Sequence, residues 1–225
     1  MSLQLALSPL LAVVAALVRR HDGGPALVRV PRVGRNSRPF GMWKVRTMTA
    51  TTVDGLAEGS AITSGDDDRI TEIGRRLREF RLDELPQLLN VAAGEMAMIG
   101  PRPESPNFVE AGDDLWRRVL MAKPGIAGPT QLIVHDWETS VLVGLSAERT
   151  YRELILPVKL AIDNWYVEHA SPWIDCLVVA SLAQRFLTGR PPRLLTRRVQ
   201  RDVPAARDIP PVTDRSRGHR SATTQ

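Results

Sequence analysis

Pro86, two residues beyond the adjacent carboxylates Asp83 and Glu84, constrains this chain more than any other residue. Proline has no N–H and a fixed φ, so it is tolerated in the first turn of a helix and breaks one further in. The run RLDELPQLLNVAAGEMAMIGPRP, from Arg81 to Pro103, therefore predicts a helix starting close to Asp83, with Leu85, Leu88, Leu89 and Val91 on its buried face. The carboxylates then lie beside backbone N–H groups without intrahelical partners, at the positive end of a helix dipole, where phosphate also binds well. An Asp-Glu pair alone is an ordinary solvated helix face. The helix start and the stiff Gly100-Pro101-Arg102-Pro103 turn make this one a candidate reactive pair, with Asp83 as the nucleophile.

The chain has 225 residues, enough for one globular domain with a real core, and its 43% hydrophobic content argues against global disorder. Thirty Lys and Arg against 25 Asp and Glu ask for an anionic partner: nucleic acid, anionic lipid or a phosphorylated small molecule. Residues 189–225, rich in Arg, Pro, Ser and Thr, read as a basic disordered tail that accounts for much of the excess. A nucleic-acid reading rests only on that charge, and no binding module supports it. The single Cys176, in an apolar run, is expected in the core or at an interface; it permits no intrachain disulfide.

Leu3 to Val18 is apolar apart from Gln4 and Ser8, and basic residues follow it from Arg19 onward. A secretory signal has the reverse order, and sixteen residues interrupted by Pro9 fall short of the ~20 needed to span a bilayer. We expect a membrane-inserted segment over residues 1–22, broken at Ser8-Pro9, with its basic flank at the cytoplasmic face. A buried soluble helix is the alternative.

Ala26–Val33 and Phe40–Met48 read as strands, with Lys44 and Arg46 on one face of the second at period two. Thr49–Asp68 is loop-like; its Asp66-Asp67-Asp68 run has no calcium-loop spacing around it. Thr71–Phe80 predicts a short helix, and Arg75, Arg76, Arg78 and Arg81 bring positive charge up to Asp83. Arginine's planar fork binds phosphate oxygens bidentately, which suits a phosphorylated substrate. Lys123–Pro129 is turn-rich. Glu148–His169 is a longer helical pattern that Pro157 kinks or divides, and Trp173–Leu187 is an apolar-faced helix suited to a membrane surface or to the core. Phosphate loop, dinucleotide fingerprint, His-Glu-x-x-His and Gly-x-Ser-x-Gly motifs are all missing, and His21, His135, His169 and His219 lack metal-site spacing.

Together these segments resemble the bacterial sugar transferase family of monotopic polyprenyl-phosphate phosphoglycosyl transferases, over roughly Leu7 to Leu187. The most specific parts are LDELPQ at Leu82–Gln87 and GEMAMIGPRP at Gly94–Pro103. Supporting matches are SP at Ser8-Pro9, GGPALVRVPRVGRNSRPFGMWKVRTM at Gly23–Met48, DRITEIGRRLR at Asp68–Arg78 and KPGIAG at Lys123–Gly128. The resemblance implies an α/β fold with residues 23–188 as its catalytic domain, seated on a membrane by a re-entrant helix broken at Ser8-Pro9 and by surface amphipathic helices. It also implies transfer of a sugar phosphate from a nucleotide diphospho-sugar, a UDP-sugar, to undecaprenyl or another polyprenyl phosphate. It makes Asp83 the nucleophile and Glu84 the acidic partner associated with Mg²⁺. It places Lys44, Arg46, Arg78 and Arg102 at the substrate, and the enzyme at the inner membrane, in contact with the bilayer, with its catalytic domain on the cytoplasmic face. Homo-oligomerisation is left open. A non-catalytic scaffold of the same family is the alternative function.

Three departures stand out. Ala127 takes the place of the family's usual threonine, and the Asn-Gly-Arg that often follows is replaced by IVHDWETSVLVGLSAERTYRELILP, both of which bear on sugar and nucleotide recognition. Only seven residues precede Ser8, fewer than the family's usual first half of the membrane helix.

Overall fold

In the computed structural model, residues 12–20, 23–49, 67–110, 112–142 and 147–210 are described. Ser8-Pro9, most of the Thr49–Asp68 loop and residues 211–225 lie outside them. Residues 12–20 form helix α1, whose buried Val14 and Val18 pack with Ala26, Val45 and Leu77 in a small core. Among the described residues no helix is long and apolar enough to cross a membrane.

Strands β1 (Leu27–Val33) and β2 (Pro39–Val45) pair antiparallel, Leu27 opposite Val45 and Val33 opposite Pro39. The turn between them places Asn36 and Ser37 at positive φ. Helix α2 (Glu72–Glu79), capped by the Thr71 side chain, docks on the chain just beyond β2 at Gly74. A Cβ at Gly74 would lie 2.0 Å from the Thr47 carbonyl oxygen, so only glycine allows this approach. A 3₁₀ turn (Leu82–Glu84) and helix α3 (Gln87–Ala92) follow. The helix thus starts later than Pro86 predicts, with Pro86 as its N-cap and Asp83 one short turn upstream.

The faces of α3 are a second correction. Its buried residues are Gln87 and Asn90, while Leu89 is exposed. The reason lies in β2, an edge strand whose backbone groups at Gly41 and Trp43 need partners. Asn90 Oδ1 accepts the Trp43 N–H at 2.9 Å, and Asn90 Nδ2 donates to the Gly41 carbonyl at 2.9 Å and to Glu95 Oε2 at 2.7 Å. One amide takes the place of a neighbouring strand.

Strand β3 (Ala97–Ile99) and β4 (Gly125–Ala127), the latter inside the segment read as turns, pair in parallel. Between them comes α4 (Asp114–Val119), capped by Asp113. The larger core is helical: α4, α5 (Pro129–Val141) and α7 (Leu156–His169) pack around Phe108, Trp116, Val134, Ile155 and Ile162. A short α6 (Ala147–Thr150) enters α7 through a π-helical turn, Tyr151–Ile155. Pro157 cannot donate to the carbonyl four residues back, and the widened turn accommodates that missing bond.

Helix α8 (Pro172–Thr188) buries Ile174, Val178 and Ser181, and leaves Trp173 at 70% and Phe186 at 55% exposure. Cys176 is on its exposed side, not in the core. The tail reading is corrected over residues 193–209. Helix α9 (Arg193–Asp202) and the 3₁₀ turn Pro204–Ala206 dock on α7 through fully buried Leu195, Val199 and Ala206, and Trp165 Nε1 donates to Asp202 Oδ2 at 3.0 Å. Arginines on the outer face raise the charge while leucine and valine at helical spacing supply the buried one.

Candidate active site

Two segments meet the end of β2 to form the site. Arg81 ends α2 in the left-handed region, φ 53°, which swings Asp83 and Glu84 back toward the strand. A non-glycine residue held there stores on the order of 1 kcal/mol, a cost borne mostly at functional sites. Asp83 is 3% exposed, and its Oδ2 is 3.1 Å from Lys44 Nζ. Because Asn90 fixes α3 against Gly41 and Trp43, the residue after Trp43 is brought to the carboxylate one turn before α3.

Glu84 has two cationic partners: Arg102 Nη2 at 2.9 Å from Oε1, and Arg81 Nη1 at 3.5 Å from Oε2. Burial alone would raise its carboxyl pKa, but Arg102, Lys44 and Arg81 outweigh that and hold it at about 2. Burial works against the charge on Arg102 as well, and Glu84 more than compensates, so its guanidinium is held above its ordinary value. Nη1 of Arg102 is buried with no hydrogen-bond partner among the described residues. Lys44, Arg81 and Arg102 set three cations against two carboxylates, leaving the cluster net positive and one arginine donor open. An anionic oxygen is the natural occupant.

The loop carrying Arg102 is fastened on two sides. Gly100 N–H donates to the Ala127 carbonyl at 2.9 Å and Gly125 N–H to the Pro101 carbonyl at 2.8 Å. A Cβ at Gly125 would fall 2.1 Å from the Gly100 nitrogen, which explains the glycines in both GPRP and KPGIAG. On the other side, Val33 N–H donates to the Glu104 carbonyl at 3.0 Å.

The structure thus brings together Lys44, Asp83, Glu84 and Arg102 from separate segments, and places Arg81, one of the arginines expected before Asp83, beside Glu84. Arg78 is close by sequence, and its Nε donates to Thr47 Oγ1 at 2.8 Å. Arg46 differs from the expectation: β2 ends at Val45, and the 3%-exposed Arg46 donates to the carbonyls of Pro25 at 2.6 Å and Met48 at 3.2 Å. Arg76 pairs with Glu72 on the outer face of α2. Asp67 clasps the Arg69 guanidinium at 2.8 and 2.5 Å, a turn-capping arrangement.

Sequence reasoning missed Asn90 and a buried polar group formed by Glu104, Glu138, Tyr151, Lys159 and Asp163. Spacing gives no signal for it, because its members come from a loop, α5, the π turn and α7. Only the presence of Lys159 and Asp163 among apolar residues of a helix hinted at it.

Among the described residues no group of three His, Cys, Asp or Glu side chains could hold a metal ion. A Mg²⁺ shared with substrate needs less: one or two carboxylates, the remaining ligands being phosphate oxygens and water. Glu84 fits that role, since its carboxylate is ionised and each oxygen keeps a lone pair beyond its arginine.

The sequence profile of the family described as "Bacterial sugar transferase" matches residues 1–189. A relative from Aeromonas hydrophila, named UDP-N-acetylgalactosamine-undecaprenyl-phosphate N-acetylgalactosaminephosphotransferase, is 33% identical over 187 residues, 81% of this chain and 40% of that protein. A UDP-glucose:undecaprenyl-phosphate glucose-1-phosphate transferase from Caulobacter vibrioides is 34% identical over 184 residues, 80% of this chain and 64% of its own length. A putative undecaprenyl-phosphate N-acetylgalactosaminyl 1-phosphate transferase from Bacillus subtilis is 43% identical over 102 residues, 45% of this chain and 55% of that protein. The chain spans less than two thirds of the length of these relatives.

Proposed function

The chain belongs to the bacterial sugar transferase family, and on that premise we propose that it transfers a sugar phosphate from a UDP-sugar to undecaprenyl phosphate through a covalent intermediate on Asp83. The observation that carries this reading is the Asp83 carboxylate, oriented by Lys44 at 3.1 Å beside a Glu84–Arg102 pair with an open guanidinium donor.

In the first displacement an Asp83 oxygen attacks the phosphorus that bears the sugar. An acyl-phosphate O–P bond forms, the bond from that phosphorus to the bridging oxygen breaks, and UMP leaves with the bond's electron pair. In the second, an oxygen of undecaprenyl phosphate attacks the same phosphorus, and Asp83 departs as carboxylate to leave undecaprenyl diphospho-sugar. Splitting the transfer lets one buried carboxylate serve both donor and acceptor in turn. Lys44 holds the attacking oxygen in place and stabilises it again when it leaves. Arg102 offers Nη1 to the donor phosphates as charge builds on them, and Arg81 keeps Glu84 oriented. Glu84 would hold Mg²⁺, which when bound supplies further charge neutralisation at the phosphates. Arg78 contributes positive field from α2. The exposed apolar side of α8 supports seating on the cytoplasmic face of the inner membrane, where the acceptor lipid is reached.

The test is to incubate full-length protein with a panel of labelled UDP-sugars, without acceptor and then with undecaprenyl phosphate. Labelled phosphosugar on a peptide containing Asp83, chased into lipid, is the expected result. Lipid product formed by Asp83→Asn would remove Asp83 from the nucleophile's role.

A further inference from the structure

Glu104 stands two residues beyond Arg102, separated by the rigid Pro103, and its side chain enters a network that the chemistry above does not use. Tyr151 Oη donates to Glu104 Oε2. The same Tyr151 oxygen accepts from Lys159 Nζ at 2.7 Å, while Lys159 lies 3.5 Å from Glu104 Oε2 and 3.3 Å from Glu138 Oε1. Glu104 Oε1 accepts the Ser105 N–H at 2.8 Å. Tyr151 and Lys159 are both buried, and the π turn brings the tyrosine to the loop. Burying a lysine with two glutamates does little for stability that apolar residues of similar size could not do as well. What such a network supplies is a fixed geometry, and here it fixes the segment immediately after the arginine whose Nη1 is open.

Resting on the function proposed above, we propose that Glu104, clamped by Tyr151 and Lys159, is a positioning residue that holds Arg102 for the diphosphate of the donor. Glu104 touches no reacting atom in this scheme. Its carboxylate anchors one side of the Arg102 loop through α7 and the π turn, while Gly100 and Gly125 anchor the other side through the β3–β4 pair. Removing the tyrosine hydroxyl loosens the first anchor, leaving Lys159 and the Val33 N–H on Glu104, and leaves the second untouched.

The test uses the purified full-length chain in detergent, with inorganic pyrophosphate as the probe in calorimetric titrations and UMP release as a separate readout. Wild type, Tyr151→Phe, Arg102→Ala and the double variant are compared, with thermal melts for each. Tyr151→Phe is expected to weaken pyrophosphate binding about tenfold, as loss of an orienting partner does, and to weaken it no further in the Arg102→Ala background. That non-additivity separates positioning through Arg102 from a general effect on the fold, which would add. Glu104→Gln, which keeps an acceptor for Tyr151 but loses the charge, should fall between wild type and Tyr151→Phe. Unchanged affinity in Tyr151→Phe, additive losses, or pyrophosphate binding that ignores Arg102 would each overturn the proposal. Arg102-dependent binding with the expected non-additivity, but no UMP release from any UDP-sugar, would sink the proposed reaction and leave the positioning role standing.

Discussion

Lys44 Nζ and Asp83 Oδ2 lie 3.1 Å apart across the junction of an edge strand and a 3₁₀ turn, 39 positions apart in the chain. Asn90 docks α3 on β2, and α2 docks on Thr47 just beyond the strand, which together bring the two residues within reach. The pair is therefore a product of backbone docking and not of local sequence. It also leaves a mostly buried carboxylate dependent on one ammonium.

Lys44→Met should destabilise the protein by about 2–3 kcal/mol, less than loss of a fully buried partner because Lys44 is partly exposed. Adding Asp83→Asn should recover part of that loss, because no uncompensated charge then remains. Denaturant midpoints of the two single variants and the double variant check this, and simple additivity would contradict the pairing.

Asp83→Asn alone should lower UMP release by about 10⁶-fold, the scale seen when a covalent nucleophile is removed, while circular dichroism stays native. Residual turnover near the wild-type level would require another nucleophile.

Asn90→Leu would satisfy the leucine pattern of α3 and yet should be strongly unfavourable. It strips partners from the Trp43 N–H and the Gly41 carbonyl, at about 1–3 kcal/mol for each group left buried. Urea denaturation should show a fall of about 2–5 kcal/mol. A stabilised variant would mean that the leucine face, not the amide, docks on β2.

Asp163 gives a pH signature. Burial pushes its carboxyl up to about 7, with Thr130 Oγ1 donating at 2.5 Å and Lys159 opposing the rise. Because its folded pKa lies above the unfolded one, the folded state binds the extra proton, so stability falls as pH rises from about 4 to about 7 and stays lower above that range. Asp163→Asn, whose amide oxygen can still accept from Thr130, should stabilise the protein at pH 8 by up to about 4 kcal/mol and by little at pH 4. Melting temperatures across that range decide it; a pH-independent difference would contradict it.

Truncation after residue 189, where the family match ends, should cost several degrees of melting temperature. It uncovers the surface of α7 that Leu195, Val199 and Ala206 bury and removes the Trp165–Asp202 hydrogen bond, on the order of 3 kcal/mol at ~25 cal/mol per Å². An unchanged melt would mean that α9 is only loosely docked.

Local chemistry was enough to locate much of this molecule from its residues alone. Alternation marked β1 and β2, helical spacing over Thr71–Phe80 marked α2, and Ser171-Pro172 marked the start of α8. These rest on interactions within a few residues, as does the choice of Asp83 and Glu84 beside Pro86, whereas Arg102 was placed at the substrate by the family resemblance. Burial direction was decided only by the tertiary structure. The leucines of α3 turned outward because an unpaired strand edge required an amide, and the basic tail became a docked helix because α7 offered it an apolar surface. Arg46 was drawn to the carbonyls of Pro25 and Met48. Glu104, Tyr151 and Lys159 met only when three segments had packed. Periodicity reports which residues share a face, but what that face meets is set by the unsatisfied groups and apolar surfaces of segments far away in the chain.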